Sequence, residues 1–271
     1  MTQIEASIVN SSLELENLGY TLLKSCINPK LTIDALNELI DEYNTNSPLP
    51  WRGGGKWFGH LNYIPSPKNK LIETITNNKS ILDLLHKSLG DDYKIVGLAG
   101  NANFPGSKNQ PKHVDGNLDK NCLVINIPLG TVTELNGSTE VWPGTHQSKI
   151  SFSKFFNLNC QSVRLNSTDG DILIRYPNLW HRGTPNNSKA IRFMLGILVS
   201  RTYRDRSPII INKEDEESIL NLGMPVHYKI GLKLKRGFMP NYFAPNLKGN
   251  IKELFWIVLP KLFETLQRIK A

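Results

Sequence analysis

Residues 121–129 read NCLVINIPL, a nearly continuous run of apolar residues. The run is short and rich in branched aliphatic side chains, which favours a β-strand over a helix. Apolar side chains at both odd and even positions predict that this strand is buried on both faces. Such a strand needs neighbours on each side, and the surrounding sequence contains several candidates.

Further extended segments lie on both sides of this run, separated by turn signals such as Pro105-Gly106 and Asn136-Gly137. We predict these strands at residues 93–102, 113–115, 139–142, 162–165, 170–175 and 190–200. Short strands at this spacing, joined by Gly-, Pro- and Asn-rich turns, are typical of an antiparallel barrel or jelly roll.

Helical periodicity appears outside this core. We predict helices at residues 31–43, 68–77, 80–89 and 213–222, and one at 251–269 that Pro260 kinks or splits. The intervening segment 51–63, with three consecutive glycines, is interpreted as a loop. His60 in that loop either lines a pocket mouth or is a hydrogen-bonded packing residue. We expect one domain over 1–271, with a helical N-terminal region at 1–92, a barrel core at 93–200 and an extension at 201–271.

Composition gives a first limit on the class of protein. The 271 residues are 39% hydrophobic and 21% charged, as in ordinary globular proteins. No apolar run is long enough for a transmembrane helix, and the start MTQIEASIVN lacks the features of a secretory signal. The three cysteines show no CxxC spacing, so we expect neither a disulfide framework nor a zinc site. A cytoplasmic location is therefore expected.

The positive charge is concentrated near the C-terminus. Residues 227–271 carry nine Lys or Arg against two Glu, which accounts for most of the net charge of +8. A basic segment can attract nucleic acid, anionic membranes or acidic small molecules. The predicted helix 251–269 is apolar on one face, so it either packs on the barrel, contacts a membrane surface or forms a dimer contact. We favour packing on the barrel, because barrels of this kind are commonly covered by helices.

The first chemical motif is His113-Val114-Asp115. Residues i and i+2 of a β-strand point to the same face, so an imidazole and a carboxylate can address one metal ion. Two histidines and one carboxylate form the facial triad of non-haem Fe(II) oxygenases. His181, which follows the strand at 170–175, is a suitable third ligand, and His146 in a Pro-Gly-Thr-His turn is its rival.

Arg192 is the second chemical feature. It lies eleven residues after His181, and a hairpin of that length returns it to the neighbourhood of the histidine. Its neighbours Ile191 and Phe193 are apolar, which predicts that the guanidinium points into the barrel and requires an anionic partner. The planar guanidinium is suited to bidentate binding of a carboxylate.

Taken together, these motifs resemble the phytanoyl-CoA dioxygenase family of Fe(II)/2-oxoglutarate oxygenases. The resemblance spans about residues 93–200. It is carried, in order, by His113-Val-Asp115, by Asn136-Gly-Ser-Thr-Glu-Val-Trp-Pro-Gly-Thr-His146, by Gly170-Asp171, by Trp180-His181-Arg-Gly-Thr-Pro-Asn186 and by Arg192. It implies a mainly β fold with flanking helices, namely a double-stranded β-helix of the jelly-roll or cupin-like type.

The resemblance also implies a set of site residues. His113, Asp115 and His181 would hold Fe(II), and Arg192 would bind the far carboxylate of 2-oxoglutarate, with O₂ as the other cosubstrate. Asn103 would assist. Many members contact the cosubstrate through a serine two residues after the distal histidine. Here that position is Gly183, and Thr184 is the neighbouring candidate. The remaining pocket candidates are Asn126, His60 and Trp180.

The expected function is therefore hydroxylation of a small-molecule or carrier-linked metabolite of natural-product, sugar or acyl type, with release of succinate and CO₂. One alternative is a barrel that binds a ligand without catalysis. Another is a nucleic-acid demethylase of the same superfamily. Such demethylases usually carry a second arginine shortly after the cosubstrate arginine, whereas Arg192 is followed by Phe-Met-Leu-Gly-Ile-Leu. We therefore expect no specific nucleic-acid partner.

Overall fold

The strands form two antiparallel sheets that face each other across the candidate site. The computed structural model describes residues 3–45, 58–63, 70–110, 112–115, 121–148, 150, 155 and 158–201. The helices in these ranges are α1 (Gln3–Leu18), α2 (Pro29–Thr45), α3 (Lys70–Thr76) and α4 (Lys79–Leu89). The strands are β1 (Tyr20–Leu23), β2 (His60–Tyr63), β3 (Lys94–Asn103), β4 (Cys122–Leu129), β5 (Thr139–Val141), β6 (Val163–Leu165), β7 (Ile172–Arg175), β8 (His181–Arg182) and β9 (Arg192–Ser200).

The larger sheet has the order β1-β7-β4-β9-β3-β2, and the smaller sheet has the order β6-β5-β8. Every strand pair within them is antiparallel. The longest ladder joins β3 to β9 and sets Asn103 opposite Arg192. The predicted jelly-roll fold, mainly β with flanking helices, is confirmed.

The two faces of β4 show why its sequence is almost uniformly apolar. Leu123, Ile125 and Ile127 are fully buried in the main hydrophobic core. Val124 and Asn126, which alternate with them, line a cavity on the opposite face. Both faces are covered, as the continuous apolar run predicts. The same alternation on β9 turns Arg192 to the cavity and Phe193 to the core.

The main core lies where the helices cover the larger sheet. Each helix contributes buried side chains to it: Leu15 from α1, Ala35 and Leu39 from α2, Leu71 and Ile75 from α3, and Ile81 and Leu84 from α4. The start of α4 is fixed by Asn78, whose side-chain oxygen accepts a hydrogen bond from the Ile81 amide at 3.2 Å. The helices thus cover one face of the larger sheet, and its other face lines the site.

Several elements differ from the sequence-based predictions. Residues 93–200 do not contain the whole barrel, because β1 and β2 come from the N-terminal region and form the two edges of the larger sheet. The segment interpreted as a loop around His60 ends in β2, which pairs with β3. Helix α1 was not identified, since its apolar stripe is weak. The two-residue strand β8 is too short to carry a pattern.

The predicted strand at 113–115 is also corrected. His113 forms only an isolated β-bridge with His181, and their backbone amides and carbonyls exchange two hydrogen bonds of 2.9 Å. The amide of Asp115 donates to the Pro177 carbonyl instead. The segment belongs to no ladder and bends at Asp115, yet both side chains still reach the same cavity.

The predicted helices at 213–222 and 251–269 lie outside the described residues, as does any contact of the basic C-terminal segment. Among the helices that the structure describes, none has the length and apolar character that crossing a bilayer requires.

Candidate active site

A cavity of about 190 Å³ lies between the two sheets. Its lining combines backbone from glycine-rich stretches, neutral polar side chains and a few charged groups. The polar side chains that line it are Asn62, Asn101, Gln110, His113, Asp115, Asn126, Thr139, Arg175, His181 and Arg192. The three metal-ligand candidates and Arg192 therefore share one cavity.

His113, Asp115 and His181 offer one ligand atom each, and these atoms all lie within 4.8 Å of one another. The Asp115 Oδ1 atom is 3.9 Å from His113 Nε2 and 3.5 Å from His181 Nε2. In the part of the chain that the structure describes, these three side chains form a group that could hold a metal ion. Two imidazoles and a carboxylate form the donor set of a non-haem Fe(II) site, so these residues fit iron.

The orientation of the His181 imidazole is fixed by the backbone. Its Nδ1–H donates to the Leu179 carbonyl at 2.8 Å, which leaves the Nε2 lone pair facing Asp115. The β-bridge with His113 holds the two imidazoles 4.4 Å apart between ring centroids. Metal-binding histidines usually have such a partner on the other ring nitrogen, because it fixes the tautomer and the direction of the lone pair.

Asp115 is held in its ionised form. Burial alone raises the pKa of a carboxyl group, but the guanidinium of Arg175 and then His181 more than offset it. The pKa of Asp115 therefore lies well below its ordinary value. A carboxylate that is ionised at neutral pH is ready to bind a cation without first losing a proton.

Arg192 is buried at 5% exposure and points into the same cavity. Its Nη1 donates to Asn101 Oδ1 at 3.4 Å and its Nη2 donates to the Gly137 carbonyl at 3.2 Å. Its Nε has no hydrogen-bond partner among the described residues. Burial lowers the pKa of Arg192 to about 10, so the side chain is still cationic at neutral pH. A buried cation without an acidic partner in the described segments of the chain fits an anionic cosubstrate.

His146 occupies a different place from the other two histidines. Its Nε2 donates to the Glu16 carbonyl of α1 at 3.0 Å, and its ring stacks on Tyr176 at a centroid distance of 5.0 Å. Its environment is the junction between α1 and the barrel. The structure thus brings His181, and not the rival His146, together with His113 and Asp115.

Asn103 and Thr184 are the two additional candidates for binding the cosubstrate. The side chains of both form hydrogen bonds with neighbouring residues. The Asn103 amide donates to the Thr184 carbonyl at 2.9 Å and accepts from the Ser107 hydroxyl. The Thr184 hydroxyl donates to the Ser138 carbonyl at 2.7 Å and accepts a hydrogen bond from Arg164. Neither is among the described residues that line the cavity. Their geometry is that of residues that hold strands together beside the site.

The three residues predicted to line the pocket lie in different parts of the structure. Asn126 lines the cavity, whereas Trp180 stacks on Phe155 at 4.1 Å in a separate apolar cluster. His60 is buried next to Gly183, where a built Cβ would lie 2.7 Å from the imidazole. A serine at that position would therefore collide with His60. The histidine ring thus fills the space that a side chain at position 183 would need.

Arg175 was missed in the sequence, although it lines the cavity and touches Asp115. The signal that singled out Arg192 was present here as well, because Arg175 ends the buried apolar strand Ile172–Arg175. A charged residue in an otherwise apolar strand requires a partner inside the protein. Asn62, Asn101 and Gln110 also line the cavity, and no sequence pattern marked them.

His60 leads to a testable pH dependence. Burial lowers its pKa from 6.5 to about 4; the hydrogen bond to the Lys108 carbonyl opposes this, and the charge of Arg192 adds to it. The folded protein therefore resists protonation, which the unfolded chain accepts below about pH 6.5. Stability should fall as the pH drops from 6.5 towards 4, and His60 should account for about 2 kcal/mol of this loss at pH 5.

Urea unfolding at about pH 7.5 and pH 5 measures this effect when the wild type is compared with His60→Gln, which keeps a donor for the Lys108 carbonyl. The wild type should lose about 2 kcal/mol more than the variant over this range. Equal losses in the two proteins would show that His60 is not the group that senses the pH.

The comparisons with known proteins agree with this geometry. Residues 98–194 match the family model of phytanoyl-CoA dioxygenase (PhyH). Among solved structures, the epimerase SnoN in complex with Fe³⁺, α-ketoglutarate and nogalamycin RO has a TM-score of 0.63 at 13% identity. The match covers 72% of this chain and 84% of SnoN. HygX from Streptomyces hygroscopicus, with nickel, 2-oxoglutarate and hygromycin B bound, has a TM-score of 0.58 at 11% identity, covering 75% of this chain and 88% of HygX.

The carbocyclase SnoK from nogalamycin biosynthesis is similar to the same extent, with a TM-score of 0.62 at 14% identity over 73% of this chain and 86% of its own. At these identities the structural likeness establishes the fold. The family match is more specific, because the matched residues include the whole His-Asp-His group and Arg192. Residues 98–194 are accordingly a PhyH-like segment, and the chain is a 2-oxoglutarate-dependent oxygenase whose His-Asp-His group fits iron.

Proposed function

We propose that this oxygenase hydroxylates an uncharged, polar small molecule or the polar portion of a carrier-linked metabolite. In this proposal His113, Asp115 and His181 hold Fe(II), and Arg192 binds the far carboxylate of 2-oxoglutarate. One observation carries the assignment: a single cavity contains both the His-Asp-His group and a buried arginine that has no acidic partner among the described residues. The carboxylate of the cosubstrate would supply that partner.

The chain's own residues have distinct roles in such a reaction. When bound, Fe(II) and 2-oxoglutarate supply oxidation by O₂ with release of succinate and CO₂. The triad binds the metal on one side and leaves its other side to the cavity. Arg192 orients the cosubstrate through charge-assisted hydrogen bonds. Apolar side chains such as Leu98 and Met194 line the same cavity and limit the access of water.

The lining of the cavity supports an uncharged substrate. Each of its charged groups in the described segments of the chain already has a role, because Asp115 faces the metal position, Arg175 pairs with Asp115, and Arg192 faces the cosubstrate. A buried ionic group of the substrate would find no further counter-charge there, at a high desolvation cost. The side-chain amides of Asn62, Gln110 and Asn126 instead offer neutral hydrogen bonds, which suit hydroxyl or amide groups.

Hydroxylation is the proposed reaction because the carboxylate ligand is present. Related sites halogenate when a small residue replaces this ligand and a halide takes its position. Asp115 fills that position, and its ionised carboxylate repels a halide. The names of SnoN and SnoK describe an epimerase and a carbocyclase, so this fold also supports reactions other than hydroxylation.

We also propose a reducing, cytoplasmic setting, because Cys26, Cys122 and Cys160 form no disulfide in the part of the chain that the structure describes.

Turnover under isotopically labelled O₂ tests the proposed reaction. The full chain would be incubated with Fe(II), 2-oxoglutarate, chloride and a metabolite extract, and the products analysed by mass spectrometry. We expect succinate together with a product that has gained one oxygen atom derived from O₂. A chlorinated product, or a hydroxylated product whose new oxygen comes only from water, would contradict hydroxylation by this route.

A further inference from the structure

The strongest unassigned feature of the cavity is the guanidinium of Arg175. Arg175 is 6% exposed and ends β7, on the inner face of the larger sheet. Each of its three nitrogens has an acceptor. Nη2 donates to Asp115 Oδ2, Nε donates to Asn126 Oδ1 at 3.1 Å, and Nη1 donates to the Tyr176 carbonyl at 3.4 Å. A buried guanidinium with a hydrogen bond from each nitrogen is fixed in orientation, so its partners are held in place.

These contacts give the two carboxylate oxygens of Asp115 different partners. Oδ1 faces the imidazoles of His113 and His181, at 3.9 Å and 3.5 Å. Oδ2 faces away from them and accepts the hydrogen bond from Arg175. The carboxylate therefore cannot turn to present both oxygens to the metal position without losing a charge-assisted hydrogen bond.

We propose that Arg175 is a positioning residue that reserves Asp115 Oδ2 and so limits this carboxylate to one oxygen towards the metal. The inference rests on the proposed function, in which Asp115 is a metal ligand. Its consequence is that one more position on the metal remains open for 2-oxoglutarate or O₂. A carboxylate that is free to bind through both oxygens would compete for that position.

The charge of Arg175 has a second consequence for metal binding. Its guanidinium repels a cation at the triad and draws electron density from the carboxylate. Removing this charge should therefore tighten metal binding while it weakens cosubstrate binding. A residue that merely supports the fold would have the opposite effect on the metal, because a disordered triad binds more weakly.

The bond to Asn126 extends the same control to the substrate side of the cavity. Because Arg175 Nε is a donor, the oxygen of the Asn126 side chain must face it, and the amide nitrogen must face elsewhere. That nitrogen lies 3.6 Å from the position of a Cβ built on Gly196, a residue that also lines the cavity. Arg175 thus also turns the Asn126 NH₂ group towards the cavity, where it can donate to an acceptor on the substrate.

The test uses Ni²⁺ as the probe, with the full-length chain at about pH 8, where the carboxylate is ionised. Calorimetric titration and thermal unfolding with and without Ni²⁺ would be compared for the wild type, Arg175→Met and Arg175→Lys. Arg175→Met should melt at a lower temperature without metal, since it leaves a buried carboxylate unpaired. It should bind Ni²⁺ on the order of tenfold more tightly and show a larger Ni²⁺-induced rise in Tm. Arg175→Lys keeps the charge and should bind Ni²⁺ like the wild type.

A second readout is the binding of 2-oxoglutarate to the Fe(II)-loaded protein under anaerobic conditions, followed by the visible absorption of the complex. Arg175→Met should need on the order of tenfold more cosubstrate than the wild type, because Asp115 then occupies a second position on the metal. If Arg175→Met does not fold, Arg175→Gln replaces it. This variant retains a donor for Asp115 but no charge, so its Ni²⁺ affinity should still rise.

Arg182→Met is the matched control. Arg182 pairs with Glu140, and both residues lie on the smaller sheet. Because the Arg182 side chain is only 19% exposed, its removal also breaks a largely buried arginine–carboxylate pair. It should lower the Tm and leave the Ni²⁺ affinity unchanged. Weaker or unchanged Ni²⁺ binding in Arg175→Met or Arg175→Gln would overturn the inference about Arg175. Failure of the proposed function is recognised separately, by an Asp115→Ala variant that binds Ni²⁺ as tightly as the wild type.

Discussion

His181→Ala will reduce iron-dependent turnover of 2-oxoglutarate by at least about 100-fold, because changes outside the ligand shell of a metal already cost 10- to 100-fold. Removing the Nε2 donor leaves one imidazole and one carboxylate, and two ligands do not hold Fe(II) on one face. The β-bridge between residues 113 and 181 is made by backbone atoms and persists in the variant, so His113 keeps its position and the loss is confined to the His181 imidazole. Succinate release and Ni²⁺ titration measure the effect, and circular dichroism checks that the fold persists.

His146→Ala provides the contrasting variant. Its ring bonds to Glu16 and stacks on Tyr176, away from the triad. The substitution should lower the free energy of unfolding by about 2 kcal/mol, since it removes a buried ring and a hydrogen bond between α1 and the barrel. Metal binding should stay at the wild-type level. Full activity in His181→Ala together with lost metal binding in His146→Ala would contradict the assignment of the third ligand.

Arg192→Met should raise the concentration of 2-oxoglutarate needed for half-maximal turnover by at least about tenfold. A hydrogen bond to a charged partner contributes about 1.5–3 kcal/mol, and the guanidinium can offer two to a carboxylate. The Nε of Arg192 that has no partner among the described residues is available for one of them. Initial rates of succinate release at varied 2-oxoglutarate give the requirement directly.

Stability separates a cosubstrate role of Arg192 from a structural one. Its charge is buried and has no carboxylate partner in the described segments of the chain, so the cosubstrate-free protein gains little from it. Unfolding of Arg192→Met in urea should therefore require as much free energy as the wild type, or more. An unchanged 2-oxoglutarate requirement combined with a large loss of stability would show that Arg192 serves the fold alone.

The central fold could be predicted because the physical signals for it are local. The strands β4, β7 and β9 are mostly apolar runs between turn residues and are buried on both faces, and β3 has an apolar centre, so all four could be recognised locally. The strands β1 and β2 could not be recognised in this way. They are four residues long and lie at the sheet edges, where one partner strand suffices and the sequence is less constrained.

The site was partly predictable for a similar reason. Arg192 lies between apolar neighbours, which marks it as facing an interior site, whereas His113-Val-Asp115 was marked by the i, i+2 spacing of two possible metal ligands. Asn103 and Thr184 were also candidates, yet their side chains have other partners. The Asn103 amide bonds the Thr184 carbonyl and the Ser107 hydroxyl. The Thr184 hydroxyl bonds the Ser138 carbonyl and Arg164. A sequence shows that a polar group is buried, but not which of its neighbours satisfies it.

The contacts of Arg175 could not be predicted from the sequence. Its partner Asp115 lies sixty residues earlier in the chain, and Asn126 lies on an adjacent strand. The three meet only because β7 pairs with β4 in a register that sets Val124 opposite Arg175. Pairing between distant strands is a property of the sheet topology, which no local pattern of residues encodes.

Anomalous diffraction at the iron edge would test the metal and cosubstrate assignment most directly, using crystals prepared anaerobically with Fe(II) and 2-oxoglutarate. We predict one iron peak in contact with His113 Nε2, Asp115 Oδ1 and His181 Nε2, and 2-oxoglutarate with its far carboxylate on Arg192. An iron peak at His146 or elsewhere, or a cosubstrate carboxylate bound away from Arg192, would contradict it.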